Sequence, residues 1–213
     1  MLILDSISKS YQKNGDLITA LAPHSLTVRS GEFLAVQGPS GSGKTTLLLV
    51  AGGLLHPDSG TVKIDENNIY ALNNKARTHY RGQHIGFIFQ QYHLIPFLTV
   101  EENIVSPELA LKTQNSQIRC NELIERFGLE HRRIHYPSEL SAGEKQRTAL
   151  ARAVLHQPKL LLADEITGNL DRANAEIVID YLKDFSSNGG AVLLVTHDNQ
   201  AAAQADKIEY LAH

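Results

Sequence analysis

The sequence predicts an α/β fold built on a mostly parallel sheet, and three observations support this prediction. Short apolar stretches typical of buried strands alternate with longer segments in which apolar residues recur at helical spacing. Several of these stretches end in polar residues, as strands do on the ligand-binding side of an α/β sheet. A glycine-rich turn at residues 38–45 joins one of the stretches to a helix. The length of 213 residues and the hydrophobic content of 42% suit one large domain, or a core with a small subdomain.

Composition narrows the classes of function. The net charge of −3 provides no basic footprint for nucleic acid, so we expect no nucleic-acid partner. Cys120 is the only cysteine, which excludes a disulfide framework and fits a reducing compartment. We expect no zinc site from the ten histidines and the single cysteine. The first residues carry no signal-peptide pattern, and the longest apolar run, residues 47–55, is far shorter than the ~20 residues of a membrane helix. We therefore expect a soluble chain, which can still dock on a membrane protein.

The N-terminal part is predicted to form a β-rich layer. Residues 2–4 and 25–28 read as strands, and Gly15 and Asp16 read as the turn between them. Tyr11 lies near that turn. From spacing alone, ordinary half-buried packing explains this tyrosine as well as a functional role does.

The glycine-rich turn matches G-x-x-x-x-G-K-[ST], the phosphate-binding P-loop. Its glycines allow successive backbone N–H groups to point at an anion. Lys44 can reach the β- and γ-phosphates, and the Thr45 hydroxyl is placed to ligate Mg²⁺. Residues 33–36 read as a buried strand before the loop, and the helix after it turns its N-terminal dipole to the same phosphates. The pattern predicts a nucleotide triphosphate site formed by Gly38, Pro39, Ser40, Gly41, Ser42, Gly43, Lys44, Thr45 and Thr46.

The next stretch leads to a polar strand end. Residues 61–65 alternate like a strand with one exposed face, and residues 67–81 are polar and predicted to be helical in their second half. Residues 84–89 read as a buried strand that ends at Gln90. Because ligands bind at the carboxyl ends of parallel strands, Gln90 is a candidate site residue.

Residues 91–137 show no strong strand pattern and are predicted to be a helical insertion. A helix begins after Thr99, which can cap it together with Glu102. A second helix covers residues 116–127, with Gly128 as its C-cap. Its apolar positions are Ile118, Leu123, Ile124 and Phe127.

A further helix is predicted to begin at Ser141, which forms a capping box with Glu144, and to end before Pro158. Ala142 and Gly143 are small enough for backbone N–H groups near them to approach an anion closely. A plain capped helix also explains this stretch, and from these residues alone it is the better explanation.

Residues 160–165 read as an apolar strand that ends in Asp164 and Glu165. Downstream of a P-loop, this arrangement lets the aspartate help to hold Mg²⁺ and the glutamate polarise an attacking water as a general base. A strand that ends in solvated acids is the alternative. Residues 191–196 form another buried strand, which ends at His197. These strand ends and Gln90 are predicted to converge with the P-loop on one edge of the sheet.

The order of these motifs resembles the nucleotide-binding subunit of an ABC transporter, and the resemblance covers essentially the whole chain. Its most specific element is LSAGEKQR at residues 140–147, because other P-loop ATPases lack it. Several stretches are similar to one subfamily, the lipoprotein-release, macrolide-exporter and cell-division group. These stretches are GPSGSGKTTLL, GFIFQQYHLIPFLTVEENI, PSELSAGEKQR, ADEITGNLD and VTHD.

The resemblance implies a P-loop NTPase fold with a RecA-like core, a mostly parallel sheet, an N-terminal antiparallel β layer and an inserted α-helical subdomain. It implies one domain over residues 1–213, in which residues 1–90 and 158–213 form the catalytic core and residues 91–157 the helical subdomain. ATP and Mg²⁺ are the implied cofactors.

The resemblance also implies a role for each candidate residue. Tyr11 is similar to the aromatic residue that stacks on adenine, and Asp171 to the aspartate at the dimer seam. Ser141, Ala142 and Gly143, with Glu144 beside them, resemble the signature that binds the γ-phosphate of ATP held by the opposite subunit. The implied catalytic residues are Lys44, Gln90, Glu165 and His197. The implied metal-binding residues are Thr45, Gln90 and Asp164.

The implied partners are a second copy of the chain, in an ATP-sandwich dimer, and an integral membrane permease at the cytoplasmic face of the inner or plasma membrane. Residues 92–100 would meet that permease. Three features depart from the family pattern. Ala142 stands where the family usually has glycine, so its Cβ could weaken closure of the sandwich. Ile166 replaces the usual proline, which frees one φ angle and a backbone N–H. The chain ends soon after Ile208 without the usual Asp-Gly turn and last strand. Hydrolysis is still expected, because the catalytic residues are all present.

A chain with a P-loop can have other functions. An ATPase that regulates a membrane or cell-wall partner mechanically, without transport, would carry the same residues. A GTPase would carry N-K-x-D, whereas residues 74–77 read NKAR. A small-molecule kinase would leave residues 140–147 unexplained. DNA-repair ABC ATPases generally carry long coiled-coil or zinc insertions, which this sequence lacks.

Overall fold

Two β-sheets organise residues 1–13, 15–112 and 115–211, the part of the chain that the computed structural model describes. In chain order, the strands are β1 (Leu2–Lys13), β2 (Asp16–Val28), β3 (Phe33–Gln37), β4 (Ser59–Ile64), β5 (Asn67–Asn68), β6 (Ile85–Ile88), β7 (Leu160–Asp164), β8 (Ala191–Thr196) and β9 (Lys207–Tyr210). The helices are α1 (Lys44–Ala51), α2 (Asn74–His84), α3 (Val100–Val105), α4 (Ser116–Arg126), α5 (Ala142–Val154), α6 (Arg172–Ser187) and α7 (Asn199–Ala202). Short 3₁₀ turns lie at Ser106–Leu109, Glu130–Arg132 and Pro137–Glu139.

A five-stranded parallel sheet forms the centre of the fold, with strand order β6-β7-β8-β3-β9. Its register pairs Asp164 with Val195 and Gln37 with Thr196. The carboxyl ends of these strands therefore lie along one edge of the sheet, as predicted. This sheet confirms the predicted α/β class.

A four-stranded antiparallel sheet, with order β2-β1-β4-β5, forms the predicted N-terminal layer. It is larger than the sequence indicated. The first two strands extend far beyond the short segments predicted, and Asp16 lies in β2 rather than in the turn. Register shifts between Leu4 and Ile7, and on both sides of Lys9, interrupt the alternation of side chains. Two further strands of the layer, β4 and β5, follow the P-loop in the chain.

Alternate residues of the parallel strands face two hydrophobic clusters. In β7, Leu161 and Ala163 pack with residues of helices α3 to α6. Leu160 and Leu162 pack with α1 and the antiparallel sheet. Burial of both faces explains why these strands read as unbroken apolar runs.

Capping boxes begin two helices at the predicted positions. Thr99 and Glu102 close the box of α3, and Ser141 and Glu144 close the box of α5. The described residues of 91–157 are helices, turns and loops without a strand. Within the described part of the chain, no helix has the length and apolar character needed to cross a membrane.

Two details differ from the predicted pattern. His84 ends α2 rather than opening β6, because the helix runs into the strand without an intervening turn. Ile118 of α4 is 60% exposed, whereas Cys120 is buried. The inward face of α4 is therefore rotated away from one of the apolar residues that predicted the helix.

Candidate nucleotide-binding site

The P-loop lies between β3 and α1, at the edge where the parallel strands end. The buried ammonium Nζ of Lys44 donates to the carbonyl oxygens of Gly38 and Pro39, each at 2.8 Å. Gly43 adopts a φ of 93° as the N-cap of α1. The loop therefore folds around its own lysine, and the N-terminal N–H groups of the helix follow directly.

The loop presents donors and space that fit nucleotide phosphates. The buried Ser42 hydroxyl has no hydrogen-bond partner among the described residues. A Cβ on Gly38 would lie 2.6 Å from Ser42 Oγ, and a Cβ on Gly43 would lie 2.2 Å from the carbonyl oxygen of Ala20. Only glycine fits at these two positions. A buried hydroxyl without a partner, an ammonium and a helix N-terminus are together the donors that a phosphate needs.

Thr45 and Asp164 meet beside the P-loop. The Thr45 side chain hydrogen-bonds to the Asp164 carboxylate at the end of β7. Burial raises the pKa of Asp164, and the negative charge of Glu165 adds to the rise, whereas the Thr45 hydrogen bond and the Lys44 charge oppose it. Hydroxyl and carboxylate oxygens are the ligands that Mg²⁺ prefers. These two residues therefore fit a magnesium site next to the phosphates.

Glu165 and His197 meet at the ends of β7 and β8. Nδ1 of His197 lies 3.0 Å from Oε1 of Glu165. The backbone N–H of Glu165 donates to the Val195 carbonyl at 2.9 Å, which fixes the first residue beyond the strand. The structure thus brings two of the four predicted catalytic side chains into contact.

Gln90 and Tyr11 lie on different elements around the P-loop. Gln90 is exposed just beyond β6, on the same edge of the sheet. Tyr11 lies in β1 opposite Ile18, with 45% of its surface exposed. Its hairpin approaches the P-loop through Ala20, whose carbonyl lies next to Gly43. No hydrogen bond joins either side chain to the P-loop in the described structure.

Ser141, Ala142, Gly143 and Asp171 form a second group. Ser141 and Ala142 are exposed at the start of α5. A Cβ on Gly143 would lie 2.2 Å from Oδ1 of Asn174, and Nδ2 of Asn174 donates to Oδ2 of Asp171 at 2.7 Å. Across the described ranges, no hydrogen bond or ion pair links this group to the P-loop. The structure therefore joins the signature stretch to Asp171 through Asn174.

Glu144 is buried, unlike Ser141 and Ala142. Its carboxylate accepts hydrogen bonds from the Ser141 N–H at 2.8 Å and from Arg132 Nε at 2.7 Å. Burial by itself raises the pKa of Glu144, but the bonds from Ser141 and Arg132 outweigh it and lower the pKa to about 2. These hydrogen bonds hold the Glu144 carboxylate at the N-terminus of α5.

Sequence reasoning missed residues that position these groups. Asp198 accepts a hydrogen bond from Thr167 Oγ1 at 3.0 Å and donates its N–H to Thr196 Oγ1 at 2.9 Å, which ties together the loops after β7 and β8. The only sequence feature that could have indicated Asp198 is its place directly after His197 in VTHD.

Asn103 is fully buried in α3 and binds the backbone of the loop before that helix. A polar residue on the inward face of a capped helix was the signal for it.

Comparison with known proteins identifies the family. The model of the ABC transporter family matches residues 21–168, more than half of the chain. The lipoprotein-releasing system ATP-binding protein LolD 1 of Rhodopirellula baltica is 44% identical over 210 residues, which cover 97% of this chain and 92% of that protein. The macrolide export ATP-binding/permease protein MacB of Shigella flexneri is 40% identical over 98% of this chain, which corresponds to 32% of that protein.

A solved structure gives the same result. It shows the ATP-binding cassette MJ0796 as a dimer in a post-hydrolysis state bound to ADP and Pi. It matches with a TM-score of 0.92 and 36% identity, and covers 99% of this chain and 94% of its own. The matches confirm the resemblance to the lipoprotein-release and macrolide-export group. The chain belongs to the ABC transporter family, as an ATP-binding and ATP-hydrolysing subunit.

Proposed function

We propose that two copies of this chain close head to tail around ATP, so that the P-loop of one copy faces Ser141, Ala142 and Gly143 of the other. The observation that carries this proposal is that, among the described residues, no hydrogen bond or ion pair joins the P-loop group to the signature stretch of the same chain. A site divided in this way is completed by a second chain. The related MJ0796 cassette is dimeric in its solved structure.

Binding of ATP falls to the residues around the P-loop. Lys44 and the Ser42 hydroxyl bind the phosphates with the N-terminal N–H groups of α1. Tyr11 stacks on the adenine. Thr45 and Asp164, together with Gln90, hold Mg²⁺, which supplies positive charge at the phosphates when it is bound.

The chemistry falls to Glu165 and His197. Glu165 orients the attacking water and takes its proton, and His197 holds the carboxylate and stabilises charge on the γ-phosphate. The γ-phosphate favours the closed dimer because only that state binds it from both sides. Hydrolysis removes this differential affinity, and the dimer reopens. Asp171 lies at the seam, where it links the two sites.

The motion is passed to a membrane permease. Residues 91–157 act as the helical subdomain that moves against the catalytic core of residues 1–90 and 158–213. The name of MacB combines ATP-binding and permease functions, and this chain matches 32% of its length. We assign the permease contact to residues 92–100, as the family resemblance implies, with the chain on the cytoplasmic face of the membrane. The names of the relatives, lipoprotein release and macrolide export, favour transport over mechanical regulation without transport.

Mixing two inactive variants tests the shared site. Lys44→Ala should abolish ATP binding at the P-loop, and Ser141→Arg should block the signature. In a mixed dimer, the intact P-loop of the second variant faces the intact signature of the first. The mixture is expected to hydrolyse ATP clearly faster than either variant alone. If each chain hydrolyses ATP by itself, mixing will recover nothing.

A further inference from the structure

One arginine joins the loop after Gln90 to the helix that begins at the signature stretch. We infer that Arg152, near the end of α5, is a positioning residue that fixes the turn next to Gln90 through two hydrogen bonds. The inference deepens the proposed function, because it rests on the roles proposed there for Gln90 and for the start of α5.

The contacts are short and directed at backbone. Nη1 of Arg152 donates to the carbonyl oxygen of His93 at 2.5 Å, and Nη2 donates to the carbonyl oxygen of Tyr92 at 2.7 Å. Arg152 is half-buried, and burial lowers its pKa because the guanidinium is partly withdrawn from water. Hydrogen bonds from a cation to carbonyl oxygens are stronger than neutral ones, and withdrawal from water strengthens them further. The arginine therefore clamps two successive peptide groups.

The clamped turn has a conformation that needs support. Tyr92 and His93 have φ angles of 55° and 46°, in the left-handed region that residues with a Cβ rarely adopt. Within the turn, only the bonds from the Tyr92 N–H to Phe89 O at 3.1 Å and from the His93 N–H to Gln91 O at 2.5 Å are formed. Such a conformation persists where its surroundings over-determine it. The two bonds from Arg152 supply that constraint.

The rest of the loop is held independently. Asn103 accepts a hydrogen bond from the Ile95 N–H at 2.7 Å and donates to Leu98 O at 2.8 Å and Thr99 O at 3.0 Å. Loss of Arg152 should therefore release residues 90–93 and leave residues 95–99 in place. It follows that a shift of α5 is transmitted through Arg152 to the backbone beside Gln90.

Hydrogen–deuterium exchange on the nucleotide-free protein tests the clamp directly. Arg152→Gln should make the amides of residues 90–93 exchange about tenfold faster, while residues 95–99 keep their wild-type rate. Arg126→Gln is the matched control, since it removes an arginine of α4 that bonds to Asp184 at 2.9 Å, and it should change neither segment. Unchanged exchange at residues 90–93 in folded Arg152→Gln protein overturns the inference. If that variant does not fold, Arg152→Lys, which can reach only one carbonyl, should give an intermediate rate, and a wild-type rate again overturns the inference.

A second substitution separates positioning from general packing. Glycine adopts positive φ without the steric cost of a Cβ. His93→Gly in the Arg152→Gln background should return the exchange rate toward wild type, although the two positions are 59 residues apart. Arg152→Gln should lower kcat for ATP about tenfold at unchanged KM, and the glycine should restore it. Faster exchange with normal kcat would support the clamp and refute the role proposed for Gln90, so the two failures are distinguishable.

Discussion

The imidazole Nδ1 of His197 lies 3.0 Å from the carboxylate Oε1 of Glu165, at the ends of two neighbouring parallel strands. The chain leaves β7 at Glu165 with a φ of 47°, and the N–H of this residue is bonded to Val195 O in β8. Both side chains are therefore placed by the sheet rather than by a mobile loop. A carboxylate and an imidazole within hydrogen-bond reach can act together on one water or phosphate oxygen.

Glu165→Gln is expected to reduce kcat for ATP hydrolysis by about 10²- to 10⁴-fold, because it removes the general base. The amide keeps the shape of the side chain, so ATP binding and dimer closure should persist. Size-exclusion chromatography with ATP should show a stable dimer, and a phosphate-release assay should show the loss of turnover. Glu176→Gln, an exposed carboxylate of α6, is the control and should behave as wild type. Full turnover in the Glu165→Gln variant would exclude Glu165 as the base.

Asp164→Asn is expected to raise the stability of the nucleotide-free protein while abolishing activity. Burial raises the pKa of Asp164 above that of the unfolded chain. The carboxylate therefore penalises the folded state at neutral pH, and the penalty is relieved as the pH falls through the raised pKa. Asparagine removes the penalty and can still accept a hydrogen bond from Thr45.

Thermal unfolding and an ATPase assay check this prediction together. The midpoint should rise by about 2–4 °C for each kcal/mol relieved, and Mg²⁺-dependent turnover should fall by at least about 10²-fold. Asp180→Asn, at an exposed position of α6, should change neither quantity. A variant less stable than wild type would show that the carboxylate supports the fold.

Burial decided which strands the sequence could predict. The strand predicted at residues 191–196 matches β8, since a strand buried on both faces reads as an unbroken apolar run. β1 and β2 were largely missed, because exposed faces and register shifts break their alternation. The alternation of apolar and polar residues that marks a strand is interrupted at each bulge. The β-propensity of single residues is too weak a signal to reveal the strand without that alternation.

The sequence predicted those site residues that lie close together in the chain. Lys44 and Thr45 follow from one short motif, whose residues are neighbours in the chain. The bonds from Arg132 to Glu144 and from Thr167 to Asp198 join residues 12 and 31 positions apart and form only on folding. The resemblance marked Ile166 as a departure, but only the structure shows that its side chain is buried in the core, 2% exposed.

Glu144→Gln is expected to lower the free energy of unfolding by about 1–3 kcal/mol at neutral pH, because it removes a charge that Ser141 and Arg132 bind. Glutamine retains the capping box, so the substitution isolates the charge. In the folded chain the pKa of Glu144 is lowered from 4.5 to about 2. Its contribution is therefore complete above pH 4.5 and is lost as the pH falls from 4.5 toward 2.

Urea unfolding near neutral pH and at about pH 3 measures this dependence. The difference between wild type and variant should shrink at the lower pH. Glu102→Gln changes the same position of the α3 capping box, and no arginine or lysine contacts Glu102 in the described residues, so it should cost less. Equal losses in the two variants would show that the charge of Glu144 adds nothing to the cap.

Ala142→Gly is expected to strengthen ATP-driven dimerisation roughly two- to tenfold, the effect of a contact worth up to about 1.4 kcal/mol. Ala142 is exposed at the first position of α5, so its Cβ lies on the surface proposed to meet the phosphates of the partner copy. The ATP concentration for half-maximal dimerisation, measured in the Glu165→Gln background, should fall. Ala173→Gly makes the same change in the first turn of α6 and controls for the helix cost of glycine. An equal response in both variants would mean that the Cβ of Ala142 does not hinder closure.

Phe97→Asp is expected to abolish binding to the membrane permease. The side chain of Phe97 is 75% exposed in the loop that Asn103 holds in shape, and a rigidly presented aromatic residue is a typical interface hot spot. An aspartate there should weaken the complex by more than about 2 kcal/mol, or roughly 30-fold.

Tyr210 in β9 is another aromatic residue, and its side chain is 74% exposed, so Tyr210→Asp is the matched control. Affinity purification from native membranes should recover a permease with wild type and with Tyr210→Asp but not with Phe97→Asp. Recovery with all three proteins would show that Phe97 is not part of the permease contact.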